Sequence, residues 1–207
     1  MKPPRLIVLL SGGGRTLVNL AECISRGELN AEIALVISSR STAKGIERAR
    51  ELGLCVETFR PRDFPSRQAF EEAQQARILE ESPDLLLLAG YLLHFPVPTG
   101  FAGRVLNIHP ALLPAHGGKG MYGDNVHAAV LEAGDKISGC TVHVVDEIYD
   151  NGPPVLQMEV PVLEGDTVDS LAARVFEAEC RAYPEAVRRH ADSLGMDAGR
   201  PRGPAKN

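Results

Sequence analysis

What this chain lacks narrows its chemistry first. Its four cysteines, Cys23, Cys55, Cys140 and Cys180, form no Cys-x-x-Cys pair of the kind a zinc ribbon or dithiol redox centre uses. With 207 residues the chain can build a real core and does not need disulfide staples. Four buried free thiols in a reducing compartment are therefore expected. No His-Glu-x-x-His or His-x-His spacing occurs, so no bound metal is expected. The net charge of -5 offers no broad basic field, which argues against a nucleic-acid partner. No apolar run approaches membrane-spanning length. Residues 1–10, with Pro3, Pro4 and one short apolar run, hold no signal-peptide core. A cytoplasmic protein without membrane contact is expected, its partners being small molecules. Repeats, linkers and a second hydrophobic core are also missing, so one domain is the economical reading. Whether it acts as a monomer or a homodimer is not legible.

What is present reads as alternating strands and helices. Arg5 to Leu10 is an apolar strand, broken by Ser11-Gly12-Gly13-Gly14. Arg15 to Arg26 carries Leu17, Leu20, Ala21 and Ile24 at helical spacing. Strands follow at 31–39, 54–58 and 84–89, with helices at 43–52 and 66–80 between them. Phe70, Ala73 and Ile78 are the expected inward positions of the second of these helices. Runs such as Leu85-Leu86-Leu87-Leu88 are apolar on both faces, the pattern of parallel strands covered by helices on both sides. The second half differs. It reads as a strand at 104–108, a glycine-rich loop at 112–125 and a helix at 126–133. An antiparallel pair at 138–145 and 155–160 and a last helix at 167–191, with Asp166 as N-cap, complete it. The fold class is α/β: a mostly parallel central sheet with an antiparallel C-terminal part and helices on both faces. Residues 1–191 form the domain, in halves of about 1–100 and 101–191. Residues 192–207 form a polar tail, expected to be flexible.

Two places carry candidate chemistry. Ser11, Gly12, Gly13, Gly14, Arg15 and Thr16 sit between a strand and a helix, where exposed amides and a helix N-terminus attract a phosphate. The spacing matches neither the P-loop nor Gly-x-Gly-x-x-Gly, and a plain tight turn is the competing reading. The second place is Val105-Leu106-Asn107-Ile108-His109-Pro110. Alternation puts Asn107 and His109 on one side of a strand end, and Asp150 is the downstream carboxylate that could orient or charge the imidazole. A structural, hydrogen-bonded histidine is the alternative for His109, as it is for His143. Asp150 opens Asp150-Asn151-Gly152-Pro153, equally a turn signal. Glu179 lies at the margin of an apolar helix stripe, either reaching solvent or facing a cationic ligand group.

Together these motifs are recognisable. Leu10-Ser11-Gly12-Gly13-Gly14, Leu88-Ala89-Gly90-Tyr91, Asn107-Ile108-His109-Pro110-Ala111-Leu112-Leu113-Pro114, Gly139-Cys140-Thr141-Val142-His143, Asp150-Asn151-Gly152 and Glu164-Gly165-Asp166-Thr167 occur in order. The chain resembles the phosphoribosylglycinamide formyltransferases over about residues 5 to 190. The resemblance implies a Rossmann-like formyltransferase fold. It implies transfer of a formyl group from 10-formyltetrahydrofolate, a cosubstrate, to the amine of glycinamide ribonucleotide, in purine biosynthesis and without a metal. It implies Asn107, His109 and Asp150 as catalytic residues, with His109 protonated under the influence of Asp150. Ser11 to Thr16 are implied as the substrate-phosphate loop, and Glu179 as facing the glycinamide end. Tyr91, Leu92, Leu93, His94 and Phe95, with Val144, Val145, Asp146 and Glu147, are implied in the folate pocket.

The chain departs from the commonest bacterial pattern in three places. Arg15-Thr16 stands for a Ser-Asn step, and Leu92-Leu93-His94 for a Met-Arg-Ile step. The loop 115–125 is longer and resembles the plant-like branch, with Lys119 and Tyr122 as possible ligand contacts. Rival formyl-transfer enzymes carry an extra C-terminal or N-terminal domain for which the chain is expected to have no room. A formyltransferase acting on a sugar nucleotide shares the same Asn/His/Asp centre. A non-catalytic folate- or phosphate-binding protein is the alternative from another class.

Overall fold

A computed structural model describes residues 3–199. Strands β1 (Arg5–Leu10), β2 (Glu32–Ser38), β3 (Val56–Thr58), β4 (Leu85–Leu88) and β5 (Val105–His109) alternate with helices α1 (Arg15–Ser25), α2 (Lys44–Glu51) and α3 (Arg67–Glu80). Then come α4 (Asp124–Ala133), β6 (Ile137–Val144), β7 (Pro154–Pro161) and α5 (Val168–Ser193). All seven strands form one sheet in the order β3-β2-β1-β4-β5-β6-β7. The first five in that order run parallel to one another; β6 pairs antiparallel with β5, and β7 antiparallel with β6. This is the expected fold class.

Each apolar strand feeds both faces. Leu6, Val8 and Leu10 of β1 join the core under α1, α2, α4 and α5, whereas Ile7 and Leu9 join a second core with Leu35, Ile37 and Ile78. A strand so placed must be apolar at every position, which is why β1 and β4 show no alternation. Chain order doubles back at β1: β2 lies on one side and β4 on the other. Such a reversal opens a crevice beyond the carboxyl ends of the strands, the usual ligand position in this architecture.

Several expectations are corrected. Thr167, not Asp166, caps α5: its hydroxyl accepts from the Ser170 amide, and Ser170 reciprocates toward the Thr167 amide. Asp166 is occupied by the Leu163 amide, the Ser170 hydroxyl and the Arg174 guanidinium. On α3, Gln74 rather than Ala73 turns inward, because its amide meets the Tyr91 hydroxyl at 3.0 Å. The four thiols are free, but only Cys23 and Cys140 are buried; Cys180 is half-buried and Cys55 is exposed. Helix α5 runs on to Ser193, and Ala198 beyond it is buried, its carbonyl accepting from the Asn30 amide at 2.8 Å. The remainder of the expected flexible tail, 200–207, lies outside the described residues. Among the described residues, no helix is long and apolar enough to cross a membrane.

Candidate active site

The crevice holds a cavity of about 710 Å³. One wall is the turn after β1. Gly14 adopts φ 72° there, as the residue before α1, and no side chain caps that helix. A Cβ on Gly14 would stand 2.5 Å from the Gly45 Cα, so glycine is what lets α2 approach. The Gly45 amide donates to the Gly12 carbonyl at 3.1 Å, and the Arg48 guanidinium to the Gly13 carbonyl at 2.7 Å. The loop is thus braced from behind. Gly12 to Thr16 all line the cavity.

Ser11, expected in the same loop, does not line it. The residue is 1% exposed, and its hydroxyl pairs with the Ser39 hydroxyl at 2.6 Å and accepts from the Leu92 amide at 2.9 Å. It ties the ends of β1 and β2 to the segment after β4. That segment, Leu88 to Phe95, forms the next wall, including the expected Tyr91, Leu92, Leu93, His94 and Phe95. Of the other expected stretch, Val145 and Asp146 line the cavity, whereas Val144 and Glu147 do not. Val144 is engaged backbone-to-backbone with Pro153 and presents its carbonyl to His143. Ile148 and Tyr149 line the cavity instead, with Tyr149 edge-on to His94.

Asn107, His109 and Asp150 come together. The His109 Nδ1 lies 3.4 Å from one Asp150 oxygen, and the Asn107 amide nitrogen 3.4 Å from the other. The structure adds a fourth member. His143 faces Asn107 across the antiparallel β5–β6 pair, and its Nε2 sits 3.2 Å from the Asn107 amide nitrogen. His143 Nδ1 is 3.0 Å from the Val144 carbonyl, which can only accept, so Nδ1 carries the proton and Nε2 accepts from Asn107. His143 is 2% exposed. Nothing in a lone histidine on a strand reveals this role; the register of the pair does.

Asp150 is held at φ 54° in the turn between β6 and β7. A Cβ on Gly152 would stand 1.8 Å from the Val144 carbonyl oxygen, so the turn demands glycine there. The long loop closes over the carboxylate, and the Gly118 amide donates to it at 2.9 Å. Lys119 and Tyr122 line the cavity beside it. His116, from the same loop, accepts a hydrogen bond at its carbonyl from His109 Nε2 at 2.8 Å. That contact places the neutral ring's proton on Nε2 and leaves Nδ1 bare toward Asp150.

Electrostatics divides the groups. Burial pushes His109 below its ordinary value, and the opposing pulls of Asp150 and the His116 carbonyl do not offset it. The expectation of a raised His109 is therefore corrected for the free protein. Burial raises the Asp150 carboxyl, but His143 and His109 in their protonated forms, with the Gly118 amide, bring it below the ordinary carboxylate value. Glu179 also lines the cavity, from α5; burial pushes it up to about 7, against the pull of Arg15. The Arg15 guanidinium rests over the Phe176 ring at 4.0 Å, one helical turn before Glu179. Among the described residues, no group of three or more His, Cys, Asp or Glu side chains is placed to hold a metal ion.

An amide donor, a neutral imidazole and an ionised carboxylate around one point suit acyl-group transfer with proton movement. Comparisons with known proteins agree. Residues 4–187 match the formyl transferase family. The chain is 40% identical over 186 residues to the chloroplastic phosphoribosylglycinamide formyltransferase of Arabidopsis thaliana, covering 88% of this chain and 64% of that protein. It is 35% identical over 189 residues to the phosphoribosylglycinamide formyltransferase of Escherichia coli K12, covering 90% and 87%. The crystal structure of glycinamide ribonucleotide transformylase 1 from Symbiobacterium toebii matches with a TM-score of 0.87 and 42% identity, over 93% of this chain and 89% of that one. The chain thus spans just under two thirds of the plant relative and most of the bacterial ones. Its fold, its ordered motifs and its matched length place this chain in the formyl transferase family.

Proposed function

We propose that this protein transfers the formyl group of 10-formyltetrahydrofolate to the amine of 5-phosphoribosylglycinamide, in de novo purine biosynthesis. The observation that carries the reading is the placement of Asn107, His109 and Asp150 in one cavity with a braced glycine loop and the half-buried Glu179. The loop and Arg15 suit a phosphate. Glu179 suits an amine-bearing end, since an ammonium beside it restores its charge. The mostly apolar turn after β4, with Val145 and Tyr149, suits a flat ring system, with backbone groups supplying polar contacts. The loop 115–125 favours the plant-like branch, and Lys119 and Tyr122 act as its ligand contacts.

The substrate amine attacks the formyl carbon, and negative charge develops on the formyl oxygen. The Asn107 amide donates to that oxygen. His109 enters neutral and takes up the attacking amine's proton, the developing oxyanion and Asp150 favouring the imidazolium until it gives that proton to the departing folate nitrogen. Asp150, ionised throughout, organises the path by which the amine's proton leaves and the departing folate nitrogen is reprotonated. Alignment of two bound substrates supplies much of the rate, and no covalent enzyme intermediate is needed.

The test is incubation of the protein with both substrates, following formylated product by mass spectrometry. Product that requires both substrates supports the reading. Formate released without the amine would replace it with a hydrolase. Turnover only with amino-sugar nucleotides would reassign the acceptor. Folate binding without turnover on any amine would make it a binding protein.

A further inference from the structure

Helix α5 contains Pro184 in its interior. Proline has no amide hydrogen, so the Cys180 carbonyl four residues earlier loses its intrahelical donor, and the ring crowds that carbonyl. Such a break destabilises an isolated helix, and here it falls immediately after Glu179. The freed carbonyl is not left bare. The side-chain amide of Asn19, on α1, donates to it at 2.8 Å. On the other side of the break the buried Tyr183 hydroxyl lies 3.1 Å from both the Leu88 carbonyl, at the end of β4, and the Leu106 carbonyl, near the start of β5. The break in α5 is therefore pinned to the helix that follows the glycine loop and to the two strands that lead into the cavity floor.

We infer that Asn19 is a positioning residue for Glu179: it takes the place of the hydrogen bond that Pro184 removes and fixes the Glu179 carboxyl against the α1 side of the cavity. Sequence spacing does not suggest this, since 161 residues separate Asn19 from Cys180. Asn19 is absent from the cavity wall, so its effect on ligand passes through α5. The inference rests on the proposed function only for its second readout, because the position of Glu179 is measurable without any substrate. A loosened break admits water to Glu179, and water favours its ionised form.

The test is a double-variant cycle of wild type, Asn19→Ala, Pro184→Ala and the two combined. The first readout is the Glu179 carboxyl titration in the free protein by carbon NMR. The second is the split of KM and kcat with phosphoribosylglycinamide. Asn19→Ala should move the Glu179 midpoint from about 7 toward the ordinary carboxylate range and raise KM about three- to tenfold, with little change in kcat. In the Pro184→Ala background, where the substituted alanine supplies the missing amide, both effects of Asn19→Ala should nearly vanish. A lowered melting temperature with an unmoved midpoint would overturn the inference, as would an Asn19→Ala effect equally large in both backgrounds. Asn19→Gln, which keeps an amide donor on a longer stem, gives the same readouts should Asn19→Ala not fold. Absence of turnover would count against the proposed function alone, and the midpoint would still decide the role of Asn19.

Discussion

Glu179 is a carboxyl held among the apolar residues of α5, and its raised value of about 7 has a direct consequence for stability. A carboxyl whose folded value exceeds its ordinary 4.5 contributes stability that is complete below 4.5 and lost as pH rises through about 7. Glu179→Gln should therefore stabilise the ligand-free protein by about 1–3 kcal/mol at pH 8 and by little at pH 4.5, as urea unfolding at the two pH values would show. It should also weaken the amine substrate. His109 has the opposite sign. Its lowered value means that stability is present above 6.5 and lost as pH falls below it. At the reacting point, Asn107→Ala should lower kcat about 100- to 1,000-fold, the cost of one oxyanion donor. His143→Ala removes the acceptor that orients Asn107 and should lower kcat about tenfold, at a smaller cost than losing Asn107 itself. A kcat for His143→Ala equal to wild type would return His143 to a purely structural role. Asn107 and His109 were legible because strand alternation is local. His143 was not, because its partner is chosen by strand register. The partners of Ser11 were hidden for the same reason: a glycine loop announces its backbone, but the partners of a serine hydroxyl depend on the segments after β2 and β4.

At the scale of elements, continuous apolar runs sufficed to read the parallel strands, since burial on both faces leaves no polar position to confuse the pattern. Helix ends were harder. Asp166 and Thr167 are both good caps by residue type, and Thr167 takes the position because Arg174 engages Asp166. Ser66 caps α3 through the Ala69 amide at 3.1 Å and does not itself line the cavity. Ser66→Ala should cost about 0.5–2 kcal/mol in chemical unfolding with kcat and KM unchanged. Gly152 behaves differently. Its turn holds Asp150, and any Cβ there collides with the Val144 carbonyl. Gly152→Ala should displace Asp150 and lower kcat far more than its effect on stability would suggest. Unchanged kinetics in a stably folded Gly152→Ala protein would show that the turn does not set the carboxylate.

For the whole molecule, the expected fold class follows from patterning alone, but the cavity does not. It exists because loops after β1, β4, β5 and β6, together with α5, converge beyond one end of the sheet. The mouth carries exposed apolar side chains, Ile148 at 63%, Tyr122 at 51% and Tyr149 at 43%, and none of these follows from periodicity. Sequence motifs supplied the glycine loop, Asn107, His109 and Asp150 separately. Their convergence is a property of the sheet order, which brings β1, β4 and β5 side by side. The measurement that bears most directly on this convergence is single-turnover formyl transfer with both substrates, comparing wild type with Asp150→Asn. Asp150→Asn keeps the shape of the centre and removes its charge. Wild type should give product only when both substrates are present, and Asp150→Asn should be slower by at least about 100-fold. Transfer by Asp150→Asn at the wild-type rate, or no amine-dependent product from wild type, would contradict this reading.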